Sequence, residues 1–281
     1  MLEDLFSKKM WDPVNGHSFI HRIGFQELPR ESDGAVVIIP GRFQAEHIDK
    51  LNADLATLRW ALVIIVGDEE SVFPSERIRH PNKKLWIQTP IPGRHDFADR
   101  FLIVGYPTDA PKMIGLNREG KLIDWFFSGQ VTHERRRECT VQLQRIPGGY
   151  LNSTEGFTKG LDREKFYQLL SQAKIAPCPS GPQTPDTFRF AEALEAGCIP
   201  VADGLAPAFP ARYWQYLFQE QILFPVVEDW GTLPELFERL LSQWPGNANS
   251  IFAWWQGKKR EMAYNLRDDI NFLIEKSLAK P

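Results

Sequence analysis

Hydrophobic positions along this chain follow two rhythms. Near-continuous apolar runs of strand length occur at residues 35–40 (AVVIIP), 60–66 (WALVIIV), 84–88 (KLWIQ) and 100–104 (RFLIV), the pattern of strands covered on both faces. Residues 44–58, between the first two, alternate apolar and polar positions at helical spacing. Residues 106–119, with Pro107, Pro111 and Gly115, break both rhythms and read as a linker. The pattern then restarts. A strand is expected at 123–127, a helix at 133–146, a strand at 149–152, a helix at 162–173 and a strand at 174–177. Thr184 and Pro185 read as the N-cap and first position of a helix that Gly197 closes. Strands at 198–201 and 222–227 follow, then helices at 233–244 and 250–277, the last with an open question of a bend at Gly257. Strand and helix in alternation predict an α/β fold with parallel sheets and helices on both faces.

Length turns one such unit into two. A chain of 281 residues is long for one domain, and 43% apolar content can fill two cores. The expected division is residues 1–118 and 119–281, with the final helix able to cross back to the first domain through Leu266, Ile270 and Leu273. No apolar run has transmembrane length, and the opening MLEDLFSKKMWDP has acids and no signal-like apolar stretch. The expectation is therefore no membrane span and a cytoplasmic location. A net charge of −3 argues against a general nucleic-acid binder, and the HERRRE cluster is too mixed in sign to reverse that. Cys139, Cys178 and Cys198 all fall in expected buried elements and read as reduced core thiols.

Candidate chemistry concentrates between Cys178 and Asp203. A small-residue loop, Pro179-Ser180-Gly181-Pro182, runs from a strand end into a helix start, and such a helix N-terminus is an anion site in waiting. Arg189 and Glu192 are three apart, on one helix face. There an arginine can hold a diphosphate, and a carboxylate one turn on can accept the two hydroxyls of a ribose. Ser128-Gly129 repeats the strand-to-helix geometry ahead of a helix expected to be capped by Thr132. Arg135 shares an inward stripe with Cys139, Leu143 and Ile146, whereas Arg136 and Arg137 read more simply as a solvated face. Duller readings stand beside each: Arg189 and Glu192 as a surface pair, Ser180-Gly181 as a plain turn, Thr187 as an ordinary first-turn residue.

The run T-x-R-x-x-E-A-x-x-x-G-C-I-P-V, from Thr187 to Val201, resembles the donor-site signature of exostosin-type glycosyltransferases. The similarity extends upstream through Trp125-Phe126-Phe127-Ser128-Gly129, Arg135-Arg136-Arg137 and Tyr167-Gln168-Leu169-Leu170, and downstream to Pro207-Ala208-Phe209-Pro210. It covers roughly residues 121–230. The resemblance implies two Rossmann-like domains facing each other across a cleft (the GT-B plan), with a nucleotide-diphosphate sugar held by Ser128, Gly129, Arg135, Arg136, Ser180, Gly181, Thr187, Arg189 and Glu192. Eukaryotic exostosins are membrane-anchored, so the expected lack of an anchor is a departure that points to a bacterial or viral relative.

Absences sharpen the expectation. The chain has no D-x-D that would chelate a metal between diphosphate and enzyme, no zinc-spaced cluster, no Walker loop and no G-x-G-x-x-G. Nor does Glu192 close the E-x7-E of retaining GT-B enzymes, since Thr184 stands eight before it. Inverting, metal-independent transfer to a hydroxyl acceptor is the reading, with no cofactor and arginines neutralising the leaving diphosphate. Such a transfer needs a general base. Asp68 and Glu69, with Glu70 beside them, follow a strand end in the first domain, and His95 and Asp96 occupy a later Gly-bearing loop. A solvated turn is the plainer reading of each group. The acceptor expected is a saccharide. A hydroxylated base of viral DNA is the alternative acceptor, and a non-catalytic sugar-nucleotide or glycan-binding protein the alternative class.

Overall fold

A computed structural model of the chain describes residues 19–23, 34–40, 48–68, 70–105, 120–154, 156, 160–208, 212–219 and 221–279. The expected linker, residues 106–119, lies outside them, as does Glu69. The protein is α/β, with two parallel sheets flanked by helices. It divides into a first unit, residues 1–104 with 259–281, and a second unit, residues 105–258.

The first sheet holds β1 (Phe19–Ile23), β2 (Gly34–Pro40), β3 (Trp60–Val66), β4 (Lys83–Gln88) and β5 (Arg100–Leu102), side by side in chain order. Every pairing is parallel. Because side chains alternate across a strand, β2 and β3 each feed two cores. Val37, Ile39, Val63 and Ile65 pack under α1 (Ile48–Leu55), whose buried side is Ile48, Leu51 and Leu55. Val36, Ile38, Leu62 and Ile64 face the other way, where Leu266, Ile270, Leu273 and Ile274 cover them. Those four belong to the end of the chain's last helix. Asn82 Nδ2 donates to the carbonyl of Leu273 at 2.9 Å, and Trp86 Nε1 donates to buried Asp269 at 2.8 Å. Arg100 completes the anchor with an ion pair to Asp269 at 2.9 Å.

The second sheet is built from β6 (Ile123–Gln130), β7 (Gly149–Thr154), β8 (Ala173–Cys178), β9 (Ile199–Asp203) and β10 (Val226–Val227). Their spatial order is β7-β6-β8-β9-β10. Numbered from the first strand of the unit this is 2-1-3-4-5, a doubly wound order whose winding reverses between β6 and β8. The connecting helices are α2 (Glu134–Leu143), α3 (Arg163–Gln172), α4 (Phe188–Glu195), α5 (Tyr213–Phe218), α6 (Leu233–Ser242) and α7 (Gly246–Leu278). Asp162 caps α3 by accepting from Lys165 N at 2.9 Å. Gly197, at φ +65°, ends α4. There Cys198 N bonds Ala193 O and Gly197 N bonds Leu194 O, the paired bonds of a Schellman closure. Lys121 is buried, and its ammonium donates to Ser171 O at 3.0 Å and Ala196 O at 2.8 Å, satisfying the ends of α3 and α4 together.

Several boundaries differ from the sequence reading. The helix expected from Thr184 begins at Phe188, with Thr187 extended at its N-cap. Gly181 N bonds Thr184 O at 2.9 Å and the Thr184 hydroxyl donates to Asp186 O at 3.3 Å, so these residues stay in the loop ahead of the helix. The cap of α2 is His133, one residue past Thr132. Strand β1 and helix α5 were not foreseen, and α7 runs unbroken through Gly257. Of the helix expected at 44–58, residues 44–47 lie outside the described residues and α1 ends at Leu55, and the strand expected at 222–227 shrinks to its last two residues.

Candidate functional site

In an open α/β sheet, ligands settle at the carboxyl ends of the strands where the winding reverses, because the two flanking connections leave in opposite directions and open a crevice. In the second unit that point lies between Ser128-Gly129-Gln130, closing β6, and Pro179-Ser180-Gly181, after β8. Eight of the nine expected donor-site residues stand on these two connections or on the helix starts that follow them. The ninth, Glu192, is one turn into α4.

The crevice is stitched by cations. Arg136 Nε donates to Ser180 O at 2.9 Å and its NH1 to Gln130 O at 3.2 Å, so one guanidinium ties the two strand ends together. His133 Nε2 meets the same Ser180 carbonyl at 3.0 Å. A carbonyl only accepts, so that nitrogen carries the proton. Burial, then the Arg136 charge, pushes the His133 pKa below its ordinary value and keeps the ring neutral at pH 7. Arg189 NH2 donates to Ser128 O at 2.8 Å, and the guanidinium lies over the Phe127 ring at 4.6 Å from its centroid. A Cβ at Gly129 would overlap the Arg189 guanidinium, so any larger residue there would push the arginine end out of this position.

Beneath these groups sits a carboxylate that the sequence reading passed over. Asp203, at the end of β9, is fully buried. Its oxygens accept from Ser180 N at 3.2 Å, Leu205 N at 3.1 Å and Trp230 Nε1 at 3.2 Å. They also accept from Arg135 through Nε and NH2. Trp214 Nε1 donates to the Asp203 carbonyl at 2.7 Å. Arg135 points inward, yet its remaining NH1 goes to Glu138 at 3.0 Å. Its charge is therefore spent on protein carboxylates. The readable signal was an acid closing the apolar run Ile199-Pro200-Val201-Ala202, directly at the sheet's carboxyl edge.

Other polar groups in this region have nothing to bond. Ser180 Oγ, Thr187 Oγ1, His133 Nδ1 and Arg189 Nε are buried without a hydrogen-bond partner. Buried polar atoms are normally satisfied, so four orphans on adjoining connections mark a place prepared for a polar ligand or ordered water. A Cβ at Gly181 would lie 3.3 Å from the Thr184 carbonyl oxygen that its own N–H bonds, a tight approach. Ser128 Oγ accepts from Asn152 Nδ2 at 3.0 Å, so this hydroxyl is held toward β7. Glu192 is buried and accepts from the Tyr167 hydroxyl at 2.7 Å. Burial pushes its pKa up, while the Tyr167 bond and the Arg189 charge pull against that. Burial also pushes the three thiols up, Cys139, Cys178 and Cys198, which leaves them protonated core residues.

The first unit places the expected base candidates in turns. Asp68 is buried, and its two oxygens accept from Val72 N at 2.9 Å and Phe73 N at 3.1 Å. Burial raises its pKa, opposed by those two bonds. His95 Nδ1 accepts from Ile91 N at 2.9 Å, and burial followed by the Arg94 charge lowers its pKa to about 4. The ring is neutral at pH 7, and the lone pair a base would use is already engaged. Asp96 is exposed and accepts from Gly93 N at 3.0 Å. Among the described residues, no group of three or more His, Cys, Asp or Glu could hold a metal ion, and no helix is long and apolar enough to cross a membrane. No family model and no curated protein matches the chain.

Proposed function

We propose that the second unit binds a nucleotide-diphosphate sugar at the β6/β8 reversal point and that the chain is a glycosyltransferase of the GT-B type. The observation that carries this reading is that Arg189 Nε, Ser180 Oγ and Thr187 Oγ1 are buried and unpartnered on the connection and helix start that follow β8, beside the reversal point. A diphosphate would meet the Arg189 guanidinium, the Ser180 and Thr187 hydroxyls and the start of α4. Glu192, one turn along, would take the ribose. Arg136 and Asp203 act as the frame, since each ties the β8 loop to another strand end. The transfer is proposed to invert the anomeric centre and to need no metal, with a saccharide hydroxyl as acceptor.

Calorimetric titration with nucleoside diphosphates and their sugar conjugates, with product release followed by mass spectrometry, tests this. Arg189→Ala should weaken nucleoside diphosphate binding at least about tenfold, the worth of one charged hydrogen bond, while the fold holds. Activity should persist in excess chelator, and NMR of the product should show the anomeric configuration opposite to the donor's. Unchanged affinity in Arg189→Ala would refute the phosphate assignment. Activity that only added magnesium or manganese restores would refute metal independence.

A further inference from the structure

We infer that Tyr167 is a positioning residue for sugar selectivity: its hydroxyl fixes one oxygen of Glu192 so that the other is presented to the hydroxyls of a ribose. This rests on the donor-site reading above and extends it to a side chain outside the crevice.

The geometry is specific. Tyr167 stands on α3, Glu192 on α4, and the two helices share β8 as packing surface. Both side chains are more than nine-tenths buried, at 6% and 8% exposure. The phenol donates to Glu192 Oε1 at 2.7 Å, and Oε2 accepts no bond from any described residue. A buried carboxyl with one engaged oxygen has a single rotamer to offer. The remaining oxygen points its lone pairs along a fixed direction, as recognition of two adjacent hydroxyls requires. A buried tyrosine needs a partner for its hydroxyl, and here that partner is the proposed ribose acceptor.

The same bond sets the charge. The titratable and charged groups facing Glu192 are Tyr167 and Arg163 from α3, Arg189 from α4 and Cys178 from β8. The Cys178 thiol stays protonated and contributes no charge. Burial, followed by the Glu192 charge, raises the Tyr167 pKa well above its ordinary value, so the phenol remains a donor throughout the accessible range. A hydrogen bond donated to a carboxylate favours its ionised form. Removing it must raise the Glu192 pKa further above its ordinary value, with only the Arg189 and Arg163 charges left to oppose burial. The ionised form, with its stronger charge-assisted bonds to hydroxyls, is then lost at a higher pH.

The test compares ribo- and 2′-deoxyribonucleoside diphosphates of the four bases by calorimetry from pH 5.5 to 8.5. Taking the ratio of the two Kd values cancels the titration of the ligand's own phosphate. The wild-type chain should prefer the ribo form by about tenfold or more at high pH, with the preference fading as pH falls. Tyr167→Phe should move that inflection upward and shrink the preference at neutral pH, leaving deoxy-form affinity within about twofold. Incorporation of 3-fluorotyrosine at position 167 keeps the packing and strengthens the donor, so it should move the inflection downward even if the phenylalanine variant folds poorly. Glu192→Gln should show a flat ratio with either residue at 167. An unchanged inflection in both Tyr167 variants, or equal loss of ribo and deoxy affinity, overturns the inference and leaves the donor site standing. A wild-type chain that binds none of these nucleotides overturns both.

Discussion

Asp203→Asn is a severe change despite its conservative shape, and its cost follows from a count of donors. The carboxylate has no solvent exposure and accepts from Arg135, Ser180 N, Leu205 N and Trp230 Nε1. An asparagine of the same shape offers one oxygen and turns an NH2 toward the remaining donors. With Arg135 and Leu205 on Oδ1, and Ser180 and Trp230 on Oδ2, either amide orientation orphans one set. Each buried N–H left unpaired costs about 1–3 kcal/mol. Breaking a buried ion pair from one side costs about 3–5 kcal/mol. Arg135 keeps its bond to Glu138 at 3.0 Å, so its charge is not abandoned. These contributions overlap, and about 3–5 kcal/mol is the expected total. For a unit of this size each kcal/mol moves Tm by about 2–4 °C, so the loss should be about 6–20 °C. Calorimetry should show the shift confined to the transition of the second unit if the two units melt separately. The Trp230 indole N–H resonance should also move, because a carboxylate beside it becomes an amide. In an Arg135→Met background the same change should cost less, by a coupling of at least about 1 kcal/mol. A stability change below about 1 kcal/mol would refute the account of Asp203 as the frame of the crevice.

Gly129→Ala should displace the Arg189 guanidinium from Ser128 O and the Phe127 ring, lowering nucleoside diphosphate affinity about tenfold or more. Wild-type affinity in that variant, measured by calorimetry, would show that Arg189 does not act from this position. His95 gives a pH prediction for the first unit. Its folded pKa, about 4, lies below the ordinary value of 6.5. The unfolded chain therefore takes up the proton first, and stability should be full above about pH 6.5 and decline toward pH 4, by at most about 1.4 kcal/mol per pH unit. NMR of the His95 ring should show a neutral imidazole at pH 5, and titration near 6.5 would refute its burial and its bond to Ile91 N.

Legibility in the sequence followed the physics of each element. Continuous apolar runs announced β2, β3 and β4 within a residue or so, because a strand covered on both faces leaves little freedom in composition. Gly197 announced the end of α4 because cap chemistry is local. The start of α4 was misread for a local reason too: Thr184-Pro185-Asp186 has the composition of a helix start, but Thr184 bonds back to Gly181 N and forward to Asp186 O inside the loop. The sequence spacing of Arg189 and Glu192 put them on one face, whereas Asp203 and Tyr167 became visible only through partners far away in the chain. Asp203 meets Arg135 across 68 positions and Tyr167 meets Glu192 across 25. No periodicity or cap rule carries information over such separations. The inward stripe correctly aimed Arg135, but pattern alone could not say that a carboxylate waited at its end.

Sheet order explains why the two units differ as candidate sites. In the first, β1 to β5 lie in chain order, so each right-handed crossover advances the same way and no reversal opens a crevice among the described strands. The acids and histidine at its carboxyl edge are bonded into their own turns, as Asp68 to Val72 N and His95 to Ile91 N show. In the second, the order 2-1-3-4-5 forces the connections after β6 and β8 apart. The protein then spends Arg136, Asp203 and the His133 ring on holding those connections at a fixed spacing. Such framing is costly in buried polar groups and would be idle around an empty turn. The polar atoms left unpartnered beside it, Ser180 Oγ, Thr187 Oγ1 and Arg189 Nε, are the ones a bound diphosphate would satisfy. Framing and vacancy fall at one topological point, and that coincidence is the strongest argument for searching there first for the ligand.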